Sequence, residues 1–346
     1  MQPSDHEQLM LTLINEARAD PEGAADRVGI DLNEDLSPGE ISPEPKQPLA
    51  FNPELIEAAR VHSDWMLETE LFQHDWTDGT APRDRIEDAG YALEAGSAWA
   101  ENISYTQASR PFPDLAEVVE DQHEGLFRSP EHRVNTLNDD FREAGVGFRE
   151  IGPGEEDSDA HALAGTMKFA VSGDGLFLTG TVYRDEDGSG TYSPGEGLGG
   201  VSVETEANAT TTWDSGGYTL SLEPGTHEVT FSGGELEEPH RESVTIDDVN
   251  VLLDVVDGAE ELAEEPAENP VGRNDSSNAS DAGGSGAQDS AAGRDLWDIL
   301  VFSRDGLDSG HQGPDLSQYE SLPGHTVQQD VRPPGHQFAN DAGFGG

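Results

Sequence analysis

The chain has 346 residues, 71 of them acidic and 18 basic, for a formal net charge of −53. No basic stripe exists to neutralise phosphate, so nucleic-acid binding is excluded. The absence of cysteine excludes a disulfide framework and a thiolate metal site. Nothing approaches the run of ~18 apolar residues that a transmembrane helix needs.

The acid is spread along the whole length, and lysine occurs only at Lys46 and Lys168. Such a surface repels itself at low salt and is tolerated when salt screens it, which reads as adaptation to high salt. The first residues lack the basic and then apolar pattern of a leader. That leaves either a cytoplasmic protein or a leader removed before this start.

Residues 4–171 read as one α and β domain. Ser4-Asp5-His6-Glu7 is a capping box, followed by Leu9, Leu13 and Ala17 on one helical face. Residues 31–48 hold four prolines and many acids and read as a loop. Asn52-Pro53-Glu54 starts a second helix with an N-cap and a proline at the first helical position. Its apolar residues Leu55, Ala58, Ala59 and Met66 recur at helical spacing. A third helix is expected near 114–127, and Ser129-Pro130 caps a short fourth. Residues 144–148 and 163–171 read as strands.

From 175 to 257 the texture changes. Short β-rich runs at 176–183, 200–205, 218–222, 228–231 and 251–256 alternate with glycine-rich turns, the rhythm of a small antiparallel sandwich. Residues 258–346 are acidic and then rich in Gly, Ser, Ala and Asn, and are expected to be a disordered tail. Residues 296–302 are a brief apolar exception without an evident partner.

Chemistry concentrates at His74, Glu101 and His132. His132 falls in the first turn of the helix opened by Ser129. The helix dipole there disfavours the imidazolium and favours a neutral ring suited to metal binding or proton acceptance. Two neutral histidines and a carboxylate around an open position form a recognised catalytic arrangement for a divalent ion such as zinc or magnesium. Spacing alone is equally compatible with three unrelated surface residues. Among the other candidates, His62 reads as a packed helix histidine and His123-Glu124 as a solvated helix face. Arg133 reads as paired with an acid near its own helix. Trp65, Trp76 and Trp99 read as core or rim.

The surrounding motifs add a resemblance. Leu13-Ile14-Asn15-x-x-Arg18 is followed by Phe72-x-His74-x-x-x-Asp78-Gly79, Arg85-Ile86 and Ala89-Gly90-Tyr91. Then come Glu101-Asn102-Ile103, Ser129-Pro130-Glu131-His132-Arg133 and Gly145-Val146-Gly147-Phe148. In this order they resemble the CAP superfamily (cysteine-rich secretory proteins, antigen 5, pathogenesis-related 1) in its shorter bacterial and archaeal form. The resemblance implies a three-layer α-β-α sandwich with a central cleft lined by His74, Glu101 and His132. There are departures. Ala100 replaces the usual glycine before Glu-Asn, and Leu126-Phe127 stands where a tryptophan is usual. The second cavity glutamate of eukaryotic members falls near Ser129, so Glu131 or Glu124 substitutes only loosely.

In the second domain, Asp185-Glu186-Asp187-Gly188-Ser189-Gly190 leads on to Glu196 and fits the twelve-position calcium loop. Asp185, Asp187, Ser189, Ser193 and the Thr191 carbonyl supply oxygens, Gly190 allows the turn, and Glu196 chelates. The competing reading is a merely acidic turn in an acidic protein. With Gly180-Thr181-Val182-Tyr183 before it and Gly197-Leu198-x-Gly200-Val201-x-Val203 after it, the segment resembles the B-type domains of bacterial SD-repeat and collagen-adhesin proteins. That resemblance implies a calcium-stiffened β-sandwich stalk. The Lys–Asn crosslink of some relatives is excluded, because no lysine follows Lys168.

Taken together, the resemblances imply a secreted or surface-attached protein. Its cleft would bind a small apolar ligand or a surface partner, and its second domain would act as a spacer. The alternative is a metal-assisted hydrolase or peptidase using the same cleft, with His74 and His132 as ligands and Glu101 as ligand or base. A third reading is purely adhesive.

Overall fold

A computed structural model describes residues 1–94, 97–152, 161–173 and 175–258, together with the backbone of 298–305. The described residues belong to one compact unit.

Helix α1 (Asp5–Ala19) carries the expected capping box: Glu7 N donates to Ser4 Oγ, and Ser4 N donates to the Glu7 carboxylate. A second helix that the periodicity did not announce, α2 (Pro21–Val28), follows at once. Asp20 caps it, and Gly29 ends it at φ 75°. Residues 31–48 contain no helix or strand. Strand β1 (Ala50–Phe51) leads into α3 (Pro53–Thr69), whose N-cap Asn52 accepts from Glu54 N and Leu55 N. A short α4 (Pro82–Asp88) precedes the ten-residue β2 (Trp99–Ala108). Helices α5 (Leu115–Arg128) and α6 (Pro130–Thr136) come next, then β3 (Glu143–Ile151) and β4 (His161–Ala170).

The sheet runs β1-β3-β4-β2, with β1 parallel to β3 and the rest antiparallel. Helix α3 lies on one face. It approaches so closely that a Cβ on Gly145 would sit 2.1 Å from the Leu55 carbonyl carbon, and one on Gly147 2.3 Å from Arg60 N. Helices α5 and α6 cover the other face. There Gln122 of α5 bonds Ser104 and Thr106, and Asn102 bonds α6. The layers are therefore α-β-α, an α+β CAP fold.

The second region follows directly. Strand β5 (Phe177–Tyr183) is the centre of one small sheet, and β6 (Ser202–Glu204) and β7 (Ala209–Thr211) belong to another. Strand β8 (Gly217–Ser221) pairs antiparallel with β5, while β9 (Gly225–Ser232) and β10 (His240–Ile246) extend the β6–β7 sheet. Two short strands, β11 (Val251–Leu252) and β12 (Val255–Val256), run parallel to β5. The sandwich is therefore mixed rather than wholly antiparallel. Its core joins Leu178, Val182, Val201, Tyr218 and Phe231.

Most of 258–346 lies outside the described residues, and so does the expectation of disorder there. Within it, β13 (Asp298–Asp305) covers much of the apolar run at 296–302. It pairs antiparallel with the outer edge of β2, from Asp298 opposite Gln107 to Asp305 opposite Ala100.

Candidate functional site: a buried carboxylate and its cations

Alternation along β2 sets the geometry, because successive side chains point to opposite faces of a sheet. Glu101 points toward α3 and α4 and is fully buried. His74 Nδ1 lies 2.8 Å from Glu101 Oε1. Arg85, on α4, donates from Nη2 to both carboxylate oxygens, at 3.1 and 2.9 Å. Lys168 is the cross-strand partner of Glu101 on β4 and forms an ion pair with Oε2. The same Arg85 nitrogen donates to the His74 carbonyl at 2.8 Å, which fixes the loop that presents His74.

His62, on α3, completes the cluster with Nε2 3.8 Å from Glu101 Oε1. Trp76 Nε1–H donates to His62 Nδ1 at 3.0 Å. The Nδ1 atom is therefore the acceptor, and Nε2 carries the hydrogen that faces Glu101. The His62 ring stacks on Trp65, Trp65 stacks on Trp76, and the Arg85 guanidinium sits 5.5 Å from the Trp76 ring centre. Phe72 and Tyr105, half-buried like Trp65 and Trp76, lie 5.9 Å apart beside them.

Electrostatics follow from burial against pairing. Burial pushes the Glu101 carboxyl up, but Lys168, Arg85 and the His74 bond together hold it well below the usual range. Burial lowers the Lys168 amine to about 8 despite Glu101. Burial also lowers His62 well below its ordinary value, so its ring is neutral.

The structure places His132 elsewhere. Asn102, the next residue on β2, projects to the opposite face, where its Nδ2 donates to the His132 carbonyl at 3.2 Å. Asn135 Nδ2 in turn donates to Asn102 Oδ1 at 2.9 Å, and His132 Nδ1 lies 2.6 Å from Ser129 Oγ. His74 and Glu101 meet as expected. His132, with Glu131 beside it on α6, belongs to the other helix layer, so the expected three-residue convergence is corrected. The cause is the two-residue period of β2, which sends Glu101 and its neighbour apart. Nor does the set fit a zinc or magnesium centre, because the oxygens of Glu101 are already engaged by two buried cations.

Arg85 and Lys168 are the members to which sequence reasoning gave no role, and His62 is the packed helix histidine expected, placed beside Glu101. A signal for Lys168 existed: it is one of only two lysines in a chain of charge −53, and it lies in an apolar strand. Two other expectations change. Arg133 is buried and donates to the carbonyls of Leu32, Phe127, Arg128 and Glu34 rather than to an acid. His123 is half-buried, with its ring tilted against Phe127, and burial lowers it to about 4. It is not on a solvated face.

In the second region, Asp185, Asp187 and Glu196 each bring a carboxylate oxygen within 4.8 Å of the others. Glu196 accepts from Glu186 N and Ser193 N, both at 2.8 Å, and Gly190 N donates to Asp185 Oδ2 at 3.1 Å with φ 79°. Ser193 Oγ donates to Asp187, and Ser189 Oγ to the Thr191 carbonyl. Asp185 Oδ1 is shut off from solvent without a hydrogen-bond partner. An all-oxygen set with an orphaned buried carboxylate oxygen suits a hard cation.

Residues 11–166 match the family model of CAP, the Cysteine-rich secretory protein family. The match spans a little under half of the chain. No curated protein matches the chain. Among solved structures, an extracellular protein containing a SCP domain from Bacillus anthracis str. Ames is 23% identical with a TM-score of 0.27. The match covers 37% of this chain and 35% of that one, so the chain spans about a third of its length. An outer surface protein from Borrelia burgdorferi is 17% identical with a TM-score of 0.25, over 35% of this chain and 76% of that one.

Proposed function

We propose that this is a secreted or cell-surface CAP protein of a salt-adapted prokaryote. It binds a small apolar ligand or a surface partner at the face around His74, and a calcium-loaded β-sandwich supports it. The carrying observation is the half-buried aromatic rim of Trp65, Phe72, Trp76 and Tyr105 over a carboxylate already neutralised by Arg85 and Lys168. Such a surface offers apolar contact with few polar groups, the usual make-up of a small-molecule site. The family name and the charge of −53 support the secreted and salt-adapted parts of the reading.

The metal-assisted hydrolase loses support, because Glu101 is neither a free ligand nor a free base. In the calcium loop, Asp185, Asp187 and Glu196 would hold the ion, with Thr191 offering its carbonyl. Bound calcium supplies a charge that cancels the mutual repulsion of these acids.

The test is calorimetry in high salt with a panel of small apolar ligands, on wild type and Trp76→Ala. Binding lost in the variant supports the reading. Turnover of peptides or esters that needs Zn²⁺ or Mg²⁺ and vanishes in His74→Ala would replace it with the hydrolase.

A further inference from the structure

The β-sandwich is built into the CAP core. Gln8 of α1, only 3% exposed, donates from Nε2 to Thr181 Oγ1 of β5 at 3.0 Å. Asn250 is equally buried. Its amide donates to the carbonyls of Pro48 and Arg142, its Oδ1 accepts from Phe177 N, and its backbone N–H donates to Gln47 Oε1. Trp213 meets Phe51 edge to face at 6.1 Å, and Thr219 Oγ1 donates to the Phe51 carbonyl.

The loop bearing Asp185, Asp187 and Glu196 is part of this joint. It opens at Tyr183 and passes through Tyr192, whose rings stand perpendicular at 6.1 Å. Both tyrosines are buried in the same apolar cluster as Leu9, Met10, Leu11 and Ile14 of α1. Tyr192 Oη lies 3.5 Å from the Asp5 carbonyl at the start of α1. Between α1 and the loop is a cavity of about 80 Å³, lined by Gln8, Thr12, Glu16, Thr181, Tyr183 and Tyr192 among others. Close-packed interiors leave few such spaces, and this one gives the tyrosines room to reseat.

We infer that cation occupancy of this loop sets how firmly Tyr183 and Tyr192 are seated on α1. Calcium binding and the packing of the CAP helix layer are then coupled. The inference rests on the calcium reading of the loop and adds its consequence. Drawing three carboxylates around one ion fixes the segment between the tyrosines, and both rings pack in the cluster that holds α1. Coupling is reciprocal, so loosening the joint from the α1 side must weaken calcium binding by the same factor.

The experiment titrates CaCl₂ into the full chain by calorimetry at fixed high KCl. The proteins are wild type, Tyr192→Phe, Tyr192→Ala and Gln8→Ala, with hydrogen exchange of the α1 amides followed in parallel. The expected result is near wild-type affinity for Tyr192→Phe, and affinity weaker by about tenfold for Tyr192→Ala and Gln8→Ala, within the range typical of coupled sites. Calcium should also slow α1 exchange in wild type. If Tyr192→Ala does not fold, Gln8→Ala carries the comparison, because it lies outside the loop. Equal affinity in all folded variants with unchanged α1 exchange overturns the coupling and leaves the calcium loop standing. No binding to wild type overturns both.

Discussion

Replacing Glu101 with glutamine keeps its shape and removes its charge. In the wild type, one carboxylate faces two buried cations, Arg85 and Lys168, neither more than 3% exposed. The cluster carries a net +1, and Glu101→Gln raises that to +2 in a site closed to water. Breaking a buried ion pair from one side costs about 3–5 kcal/mol, because it strands an uncompensated charge. For a unit of this size that is a fall in Tm of about 6–20 °C. Lys168→Met acts in the opposite sense. It leaves Glu101 still paired with Arg85, so no charge is stranded, and a loss within about 1 kcal/mol is expected.

Urea unfolding followed by circular dichroism in high salt measures both variants. A pH series adds a check on sign. In Glu101→Gln the Lys168 amine loses its carboxylate partner and titrates below the wild-type value of about 8. In that window the unfolded variant binds a proton that its folded form does not, so its stability rises with pH. The deficit therefore shrinks as pH rises toward 8, where wild-type Lys168 also releases its proton. If Lys168→Met proves as costly as Glu101→Gln, packing rather than charge governs the site and the reasoning fails.

Further outcomes follow from other features. Burial keeps His123 neutral in the fold down to about pH 4, whereas the unfolded imidazole titrates near 6.5. Its contribution is present above ~6.5 and fades as pH falls toward 4, a loss of about 1–3 kcal/mol for a half-buried ring. Tm against pH at constant salt should be flatter in His123→Gln, and coincident slopes would refute the assignment. Calcium at about a hundred times its dissociation constant should stabilise the chain by about 2.7 kcal/mol, and Glu196→Gln should lose that shift. Gly145→Ala places a methyl 2.1 Å from α3 backbone and should cost about 3 kcal/mol or more in denaturant melts. A variant that unfolds like wild type would mean the α3–β3 spacing is elastic. Lowering salt should depress Tm through self-repulsion of the −53 charge, and a salt-independent Tm would remove the reading of salt adaptation.

Local rules carried part of this structure, and contacts between distant residues carried the rest. The capping box at Ser4 and the Asn52-Pro53 start are written in short sequences and appear where expected. Helix α2 was also written, in Asp20-Pro21 and Gly29, but eight residues offer too little periodicity to stand out. The meeting of His74 with Glu101 was legible only through the order of motifs, because they lie 27 positions apart in sequence with α4 between them. The side taken by His132 was not legible. A helix start tells which way its dipole points but not which face of the sheet it covers, and the Asn102 bond to α6 makes that choice. The β11 and β12 pairings with β5 are parallel and non-local, and a two-residue strand carries no pattern from which to read them.

The few basic residues show what a strongly acidic chain keeps. Both lysines are buried, Lys46 at 7% exposure against Asp139 and Lys168 at 0% against Glu101. Arg18 is fully buried and donates to the carbonyls of Gln47, Thr136 and Asn138, which ties α1 to two loops. Arg133 does the same for the carbonyls of Leu32, Glu34, Phe127 and Arg128. On the surface a cation can be exchanged for an acid and the difference left to salt, because exposed pairs are worth about 0–1 kcal/mol. In the interior salt does not enter. A guanidinium donates in a fixed fork that no acid reproduces, and an acid placed there would face carbonyl oxygens. Cations at these inside positions, beside a mostly acidic exterior, are the division expected under the proposed adaptation to high salt. Among the described residues, Glu101 is an acid at 0% exposure, and two of these buried cations answer it.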